Sequence, residues 1–252
     1  MEKILLSLLT AVLLMVLCFF VYVSDYYHAK AYQAEAVSAD SEDYIVYGDK
    51  NSSTGFIFYP GGLVEAESYA PLLDKIAQKD VCCVLVKMPF HLAVFDSGAA
   101  DRAIRDFPDM ERWYIGGHSL GGAMASSYAQ KHEDSLKGLV LLAAYPTDTL
   151  SALPVLSIYG SMDGVLNREK YKDSIKDAEI CSEIIIQGAN HAGFGNYGEQ
   201  KKITRQRFQG RNSGIQLLLI FWNFLKHRMH HDKESGLPDS PPKRSRLRPF
   251  PS

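Results

Sequence analysis

Residues 113–122, with the sequence WYIGGHSLGG, place Ser119 between glycines at positions 117 and 121. This is the G-x-S-x-G pattern, in which a serine hydroxyl projects from a sharp turn between a strand and a helix. Side chains two positions before and after the serine would collide in so strained a turn, and glycine removes these collisions. The residues before the motif favour a strand, and the small residues after it favour a helix. We therefore predict that Ser119 is a nucleophile at the end of a strand.

Strand-like and helix-like segments alternate on both sides of this turn, which is typical of βαβ units on a mostly parallel sheet. Apolar runs predict strands over 44–47, 55–59, 81–86, 113–116, 136–143, 155–159 and 183–186. Helical spacing of apolar residues predicts helices over 67–79, 99–107, 121–131, 169–178 and 214–227. Several of these strands are continuously apolar, as expected for strands buried on both faces. The fold class predicted from the sequence is therefore α/β.

Two later loops supply the groups that would activate a serine, because a hydroxyl is a weak nucleophile until a base takes its proton. Asp163 follows the strand over 155–159, and His191 follows the strand over 183–186. Both residues therefore lie at the carboxyl ends of parallel strands, the edge of the sheet where such sites are built. We predict that His191 is the general base for Ser119. We also predict that Asp163 holds the tautomer of His191 and stabilises its charged form.

Other acidic and histidine residues compete for these roles. Asp148, after the strand over 136–143, is the alternative acid if Asp163 is misassigned. His118 is next to the serine, but on such a turn it is expected to point away and to pack in the interior. His91 could line a substrate pocket. A catalytic role is not expected for the histidines near the C-terminus, which are His227, His230 and His231.

A second glycine-containing loop, residues 59–63 with the sequence YPGGL, follows the strand over 55–59. Acyl transfer needs two donors directed at the developing oxyanion. The backbone amide of Leu120, at the start of the helix, is expected to be one donor. The amide of Gly62 is expected to be the other, with Leu63 as the alternative, because glycine lets the backbone approach a substrate closely. An ordinary glycine turn would have the same sequence.

Four motifs together resemble the α/β-hydrolase superfamily over residues 44–200. They are YPGG at 59–62, GHSLGGA at 117–123, YGSMDG at 159–164 and GANHAGFG at 188–195. Within the superfamily the chain is most similar to a bacterial branch of small, dienelactone-hydrolase-like serine hydrolases. The resemblance implies an α/β-hydrolase fold and hydrolysis of carboxylic esters without a cofactor. Dienelactone hydrolases proper carry a cysteine nucleophile where this chain has Ser119, so the resemblance does not extend to their substrate.

Three functions are compatible with these motifs. The first is a carboxylic-ester hydrolase that acts through an acyl-enzyme on small or polymer-borne esters. A short connection between the strands over 136–143 and 155–159 supports it, because it leaves little room for a cap over the site. The second is an amidase or peptidase that acts on cell-envelope material. The third is a binding module that keeps the fold without catalysis.

The first residues of the chain predict a membrane anchor. Residues 4–23 carry no formal charge, and a helix of that length spans about 30 Å, close to the thickness of the bilayer core. A cleaved signal peptide has a shorter apolar region, about 7–15 residues. We therefore predict a single-pass transmembrane helix over 1–24. Lys3 and the terminal amine precede the apolar run 4–23, and mostly acidic residues follow it. A cytoplasmic N-terminus and an exported domain are therefore expected.

The rest of the chain divides into a stalk over 25–43, a catalytic domain over 44–230 and a disordered, basic, Pro-rich tail over 231–252. The net charge is −2 although the tail is basic, so the body is acidic, and nucleic acid is not expected as a partner. The four cysteines form no CxxC motif and no cluster with histidine. Neither a metal site nor a disulfide framework is predicted.

Overall fold

The computed structural model describes residues 1–147, 149–150, 152–176, 178, 181–198 and 223–224. Several features predicted from the sequence fall outside these residues. They are the alternative acid Asp148, most of the helix over 214–227, the tail over 231–252, and the histidines at 227, 230 and 231.

A single eight-stranded sheet forms the centre of the described part of the chain. Its strands, in chain order, are β1 (Val37–Asp40), β2 (Tyr44–Tyr47), β3 (Thr54–Tyr59), β4 (Cys82–Val86), β5 (Arg112–His118), β6 (Gly138–Leu142), β7 (Val155–Gly160) and β8 (Cys181–Ile186). Their order across the sheet is β1-β2-β4-β3-β5-β6-β7-β8. The pairs β1–β2 and β2–β4 are antiparallel, and every later pair is parallel. The mostly parallel sheet predicted from the sequence is confirmed.

Five α-helices accompany the sheet in the described residues, and four of them lie beside it. The helices are α1 (Glu2–Ser24), α2 (Ala70–Ala77), α3 (Ala100–Asp106), α4 (Leu120–Lys131) and α5 (Arg168–Lys176). Alternate residues of β3 point to two separate cores. Phe56 and Phe58 pack with α2 on one face, whereas Ile57 packs with α3 and α4 on the other. Burial on both faces explains why the central strands read as continuous apolar runs.

Within the described residues, the predicted strands and the helices predicted over 67–79, 99–107, 121–131 and 169–178 agree with the structure to within a few residues, apart from one segment. Residues 25–43, predicted as a stalk, lie against the domain and contribute β1 to its sheet. The buried Asp74 of α2 explains this docking. Its carboxylate accepts the Tyr32 hydroxyl at 2.7 Å and the amides of Glu35 and Ala36 at 3.1 and 2.7 Å. The ordered domain therefore begins before Tyr44, because a distant carboxylate supplies hydrogen bonds that the polar sequence of the segment does not reveal.

The first helix, α1, is long and apolar enough to cross a membrane, and it is a candidate membrane span. Most of its apolar side chains are exposed, and only Val23, near its C-terminal end, is buried.

Candidate active site

Ser119 stands on a strained turn between β5 and α4, with φ 51° and ψ −120°. The two flanking glycines are crowded, as the motif requires. A Cβ atom on Gly117 would lie 2.6 Å from the carbonyl carbon of Gly121. A Cβ atom on Gly121 would lie 2.1 Å from the carbonyl oxygen of Pro60. No side chain fits at either position, so these glycines bring the serine turn against the loop after β3.

The loop after β3 lies directly against the start of α4. A Cβ atom on Gly62 would be 2.9 Å from Cδ2 of Leu120. The Leu63 amide donates a hydrogen bond to the carbonyl oxygen of His91 at 2.8 Å, so it is already engaged. Among the described residues, no acceptor takes the amide of Gly62. Of the two amides expected from the sequence, the geometry therefore favours Gly62 and disfavours Leu63.

Asp163 and His191 come together as the sequence predicts. His191 Nδ1 lies 2.9 Å from Asp163 Oδ2, and both side chains are buried. The other carboxylate oxygen, Oδ1, accepts the amides of Val165 and Leu166, each at 2.9 Å. Burial raises the pKa of Asp163, but the hydrogen bond and charge of His191 and the two amides outweigh it and leave this pKa below its ordinary value. Asp163 is therefore ionised at neutral pH.

The partner of His191 fixes its tautomer. An ionised carboxylate only accepts hydrogen bonds, so Nδ1 carries the proton, and in the neutral ring Nε2 keeps a lone pair. Among the described residues, Ser119 donates no hydrogen bond to Nε2 of His191. The structure thus joins Asp163 to His191, and Ser119 stands at the same edge of the sheet without a hydrogen bond to the imidazole.

The loops that carry the acid and the base are also in close contact. A Cβ atom on Gly160, at the end of β7, would lie 2.1 Å from the carbonyl oxygen of Ala189. This contact lets the loop after β8 cross the end of β7. His191 then begins a short 3-10 helix, His191–Phe194, whose first side chain faces the acid.

A buried chain of hydrogen bonds joins the loop after β3 to the loop of the base. The amide of Gly61 donates to the Tyr69 hydroxyl at 3.0 Å, and this hydroxyl lies 2.8 Å from His118 Nδ1. His118 Nε2 lies 3.0 Å from the carbonyl oxygen of His191. A carbonyl only accepts, so Nε2 carries the proton and Nδ1 accepts from the tyrosine. Burial, and then the neighbouring His191, lower the pKa of His118 to about 3, so this ring is neutral at ordinary pH.

His118 is thus buried away from solvent, as the sequence predicts, but it does more than fill space. Its ring centroid lies 4.7 Å from that of His191. Tyr69 is part of this network but is not evident as a site residue from the sequence. Tyr69 falls on the apolar side of the helix predicted over 67–79, and nothing in that spacing shows that its hydroxyl has two buried partners.

A cavity of about 190 Å³ lies beside the loop after β3. Pro60, Val64, Lys87 and His91 line part of it, whereas Ser119 and its two expected partners do not. His91 therefore lines a cavity, although Ser119 is not part of its lining. Among the described residues, no group of three or more histidine, cysteine or acidic side chains could hold a metal ion.

Comparison with known proteins places this geometry in a family. A sequence model described as the alpha/beta hydrolase family matches residues 55–209. The chain belongs to the alpha/beta hydrolase family. The resemblance seen in the four sequence motifs is confirmed. No curated protein matches the chain.

Several solved structures share the fold of this chain at low sequence identity. An alpha/beta hydrolase enzyme from a sediment metagenome of the Mar Chica lagoon in Morocco has a TM-score of 0.58 at 12% identity, covering 77% of this chain and 99% of its own. Est1E from Butyrivibrio proteoclasticus has a TM-score of 0.55 at 15% identity, covering 79% and 100%. A dienelactone hydrolase from Anabaena variabilis has a TM-score of 0.53 at 17% identity, covering 77% and 96%. At these identities the likeness establishes the fold alone.

Proposed function

We propose that this family member is a serine hydrolase that cleaves carboxylic esters. The observation that carries the proposal is the buried hydrogen bond between His191 and Asp163, at the same sheet edge as the strained turn of Ser119. A hydrogen-bonded acid and base at the same sheet edge as a partly buried serine form the arrangement that acyl transfer requires.

The reaction has two halves. Ser119 attacks the ester carbonyl while His191 Nε2 takes the hydroxyl proton, and the carbonyl oxygen becomes an oxyanion. The amides of Leu120 and Gly62 donate to that oxyanion. His191 then gives the proton to the departing alcohol, and an acyl group stays on Ser119. A water molecule, deprotonated in turn by His191, attacks this acyl-enzyme and releases the acid. Asp163 stabilises the charged imidazolium in both halves.

The missing hydrogen bond between Ser119 and His191 is compatible with this reaction. Catalytic hydrogen bonds are often long or absent without substrate, and they tighten in the complex. A rotation about χ1 of Ser119 changes the position of its hydroxyl without moving the turn. The imidazole itself is fixed by Asp163, so the serine is the partner expected to move.

The proposed substrates are small or polymer-borne esters. The described residues between β6 and β7, 143–147, 149–150 and 152–154, form no helix, so they offer no cap to enclose a long acyl chain. Est1E has been solved with ferulic acid bound, which makes aromatic esters a sensible part of a substrate panel. A clear preference for long-chain over short-chain p-nitrophenyl esters would contradict this proposal.

The test is a panel of ester and amide substrates with the full chain and two serine variants. Ser119→Ala is expected to abolish ester turnover. Ser127→Ala, which removes a serine from α4, the helix that follows Ser119, is expected to leave turnover unchanged. Cleavage of amides at rates similar to esters would favour the amidase or peptidase alternative. No turnover of any substrate by the wild-type chain would favour a binding module.

We also infer that α1 is an uncleaved, single-pass anchor and that the catalytic domain is exported. The support for retention is that Val23 is buried and that Phe19 contacts Phe90 of the folded domain, which is not expected of a segment removed during export. The charge difference across the helix supports the direction of insertion.

A further inference from the structure

Three large apolar side chains remain exposed on the segment that follows β4, which we call the 89–95 loop. The exposed fractions are 45% for Phe90, 49% for Val94 and 52% for Phe95. Grouped exposed apolar side chains mark surfaces that contact another molecule or a membrane. Phe90 and His91 both have positive φ, 54° and 57°, a conformation that costs of order 1 kcal/mol or more for each non-glycine residue. The backbone is thus strained in the segment that exposes Phe90.

The surface of the 89–95 loop is continuous with α1. The ring of Phe19, near the C-terminal end of α1, lies 5.3 Å from that of Phe90 and 5.7 Å from that of Phe95, measured between centroids. Phe20 lies 6.1 Å from Phe90. The two phenylalanines of the loop also contact each other, at 5.7 Å. The three loop side chains are exposed even with α1 packed beside them, and they extend the apolar surface of the candidate membrane span.

We propose that the 89–95 loop is a docking surface for the lipid bilayer and inserts its apolar side chains into the outer boundary of the membrane. The depth of Phe19 supports this. It lies five residues before the end of α1, within about 8 Å of that end along the helix. If α1 crosses the bilayer, side chains in contact with Phe19 share its depth. Just beyond the helix, Tyr26 stacks on His91 with centroids 3.9 Å apart, and tyrosine is typical of the membrane–water boundary.

The same loop borders the candidate active site. The carbonyl oxygen of His91 accepts the amide of Leu63, and Leu92 Cδ2 would lie 3.6 Å from a Cβ atom on Gly62. The loop after β3 therefore stands beside the surface proposed to contact lipid. A consequence, which rests on the proposed function, is that the enzyme reaches short-chain esters carried by amphiphilic molecules at the membrane surface. Docking itself does not depend on catalysis.

The first experiment measures depth in the membrane. A spin label is attached to Val94→Cys in the full chain, with Cys18→Ser and Cys181→Ser to remove the accessible thiols. Burial raises the pKa of Cys82 to about 11 and also raises that of Cys83 well above its ordinary value, so these two thiols stay unlabelled. The chain is reconstituted in vesicles of phosphatidylcholine and phosphatidylglycerol. The collision rates of the label with oxygen and with a water-soluble nickel chelate are then compared.

The label at Val94 is expected to collide more often with oxygen than with nickel. The control is a label at Asp109→Cys, an exposed position just before β5 and at the opposite edge of the sheet, where nickel collisions are expected to dominate. If the label at Val94 collides with nickel as often as the label at Asp109 does, the loop is in water and the proposal is overturned.

The second experiment separates docking from catalysis. Phe95→Ser is expected to lower turnover of an ester embedded in vesicles about fivefold, through loss of apolar area in the membrane, and to leave turnover of a water-soluble ester unchanged. Val37→Ser is the matched control, because Val37 in β1 has an exposed fraction of 47% and lies outside both the loop and the candidate site. An equal loss on both esters would overturn the lipid role. No turnover by the wild type would instead contradict the proposed function, and the depth measurement would still decide docking.

Discussion

At the scale of single residues, the hydrogen-bond partners of two neighbouring histidines determine their different roles at the site. His118 and His191 have ring centroids 4.7 Å apart, yet their surroundings differ. His118 is buried between a hydroxyl and a carbonyl, which both suit a neutral ring. His191 instead donates its Nδ1 proton to an ionised carboxylate, which leaves Nε2 as an acceptor. One histidine is therefore suited to holding backbone in place, and the other is suited to moving a proton.

The role of Asp163 predicts the effect of an amide substitution. Asp163→Asn keeps the shape of the side chain but no longer fixes the tautomer of His191 or stabilises its charge. We expect kcat for a soluble ester to fall about 10⁴-fold, as in other serine hydrolases with this change, with KM little altered. Steady-state kinetics measure both values. A loss of less than tenfold would show that another group orients His191.

The neutral state of His118 predicts how stability depends on pH. Its pKa is about 3 in the folded chain and about 6.5 when unfolded. The unfolded chain therefore binds an extra proton between these values, and stability is complete above pH 6.5 and is lost as pH falls. The slope approaches 1.4 kcal/mol per pH unit, so about 2 kcal/mol is lost between pH 6.5 and 5.

Replacing the imidazole should remove this contribution. We expect His118→Gln to reduce the fall in unfolding free energy between pH 6.5 and 5 by about 2 kcal/mol. Denaturant unfolding of the full chain in detergent measures this difference. Tyr69→Phe is the control, since it removes a hydrogen bond but keeps the titrating ring and should keep most of the slope. An unchanged slope in His118→Gln would mean that His118 is charged in the folded chain.

At the scale of elements, the sequence predicted those strands, helices and turns whose formation depends on residues close by in the chain. The turn at Ser119 and the strands on either side of it follow from glycine spacing and apolar runs. β1 and the docking of residues 25–43 depend on Asp74 instead, more than thirty residues away, so no local pattern shows them. The choice between the amides of Gly62 and Leu63 as oxyanion donors also depends on a distant group, because the carbonyl of His91 accepts the Leu63 amide.

Docking of residues 25–43 predicts a large effect of removing the carboxylate of Asp74. Asp74→Ala leaves two amides and a hydroxyl without their acceptor, and hydrogen bonds to charged groups contribute about 1.5–3 kcal/mol each. Because Tyr32 and Glu35 are exposed and can bond to water instead, we expect a loss of about 3 kcal/mol in unfolding free energy and faster proteolysis within residues 25–43. Asp109→Ala, at an exposed position, should change stability by less than about 0.5 kcal/mol. Equal stability of the two variants would mean that the segment is not held by Asp74.

At the scale of the whole molecule, α1 lies in contact with the folded domain. The last turns of α1 contact the 89–95 loop, and that loop borders the loop after β3. Anchoring the chain would thus also orient the site toward the bilayer surface. The sequence predicted the span from length and composition, but it gave no sign that distant phenylalanines extend the same surface.

Retention of α1 predicts the state of the chain in cells. We expect the chain to keep residues 1–24, to stay with membranes after alkaline extraction, and to be digested by protease added from the outer side. Intact mass and membrane fractionation test these expectations. A mature N-terminus near Ala31, beyond the apolar run, would show that the helix is a cleaved signal sequence.

The central claim is that Ser119, activated by His191, is the nucleophile. Reaction of the full chain with a fluorophosphonate, followed by tandem mass spectrometry of the digested protein, tests it most directly. We predict a single adduct on the peptide that contains Ser119, and no adduct on Ser119 in the His191→Gln variant. An adduct on a different serine, no adduct on the wild-type chain, or equal labelling of Ser119 in His191→Gln would contradict the claim.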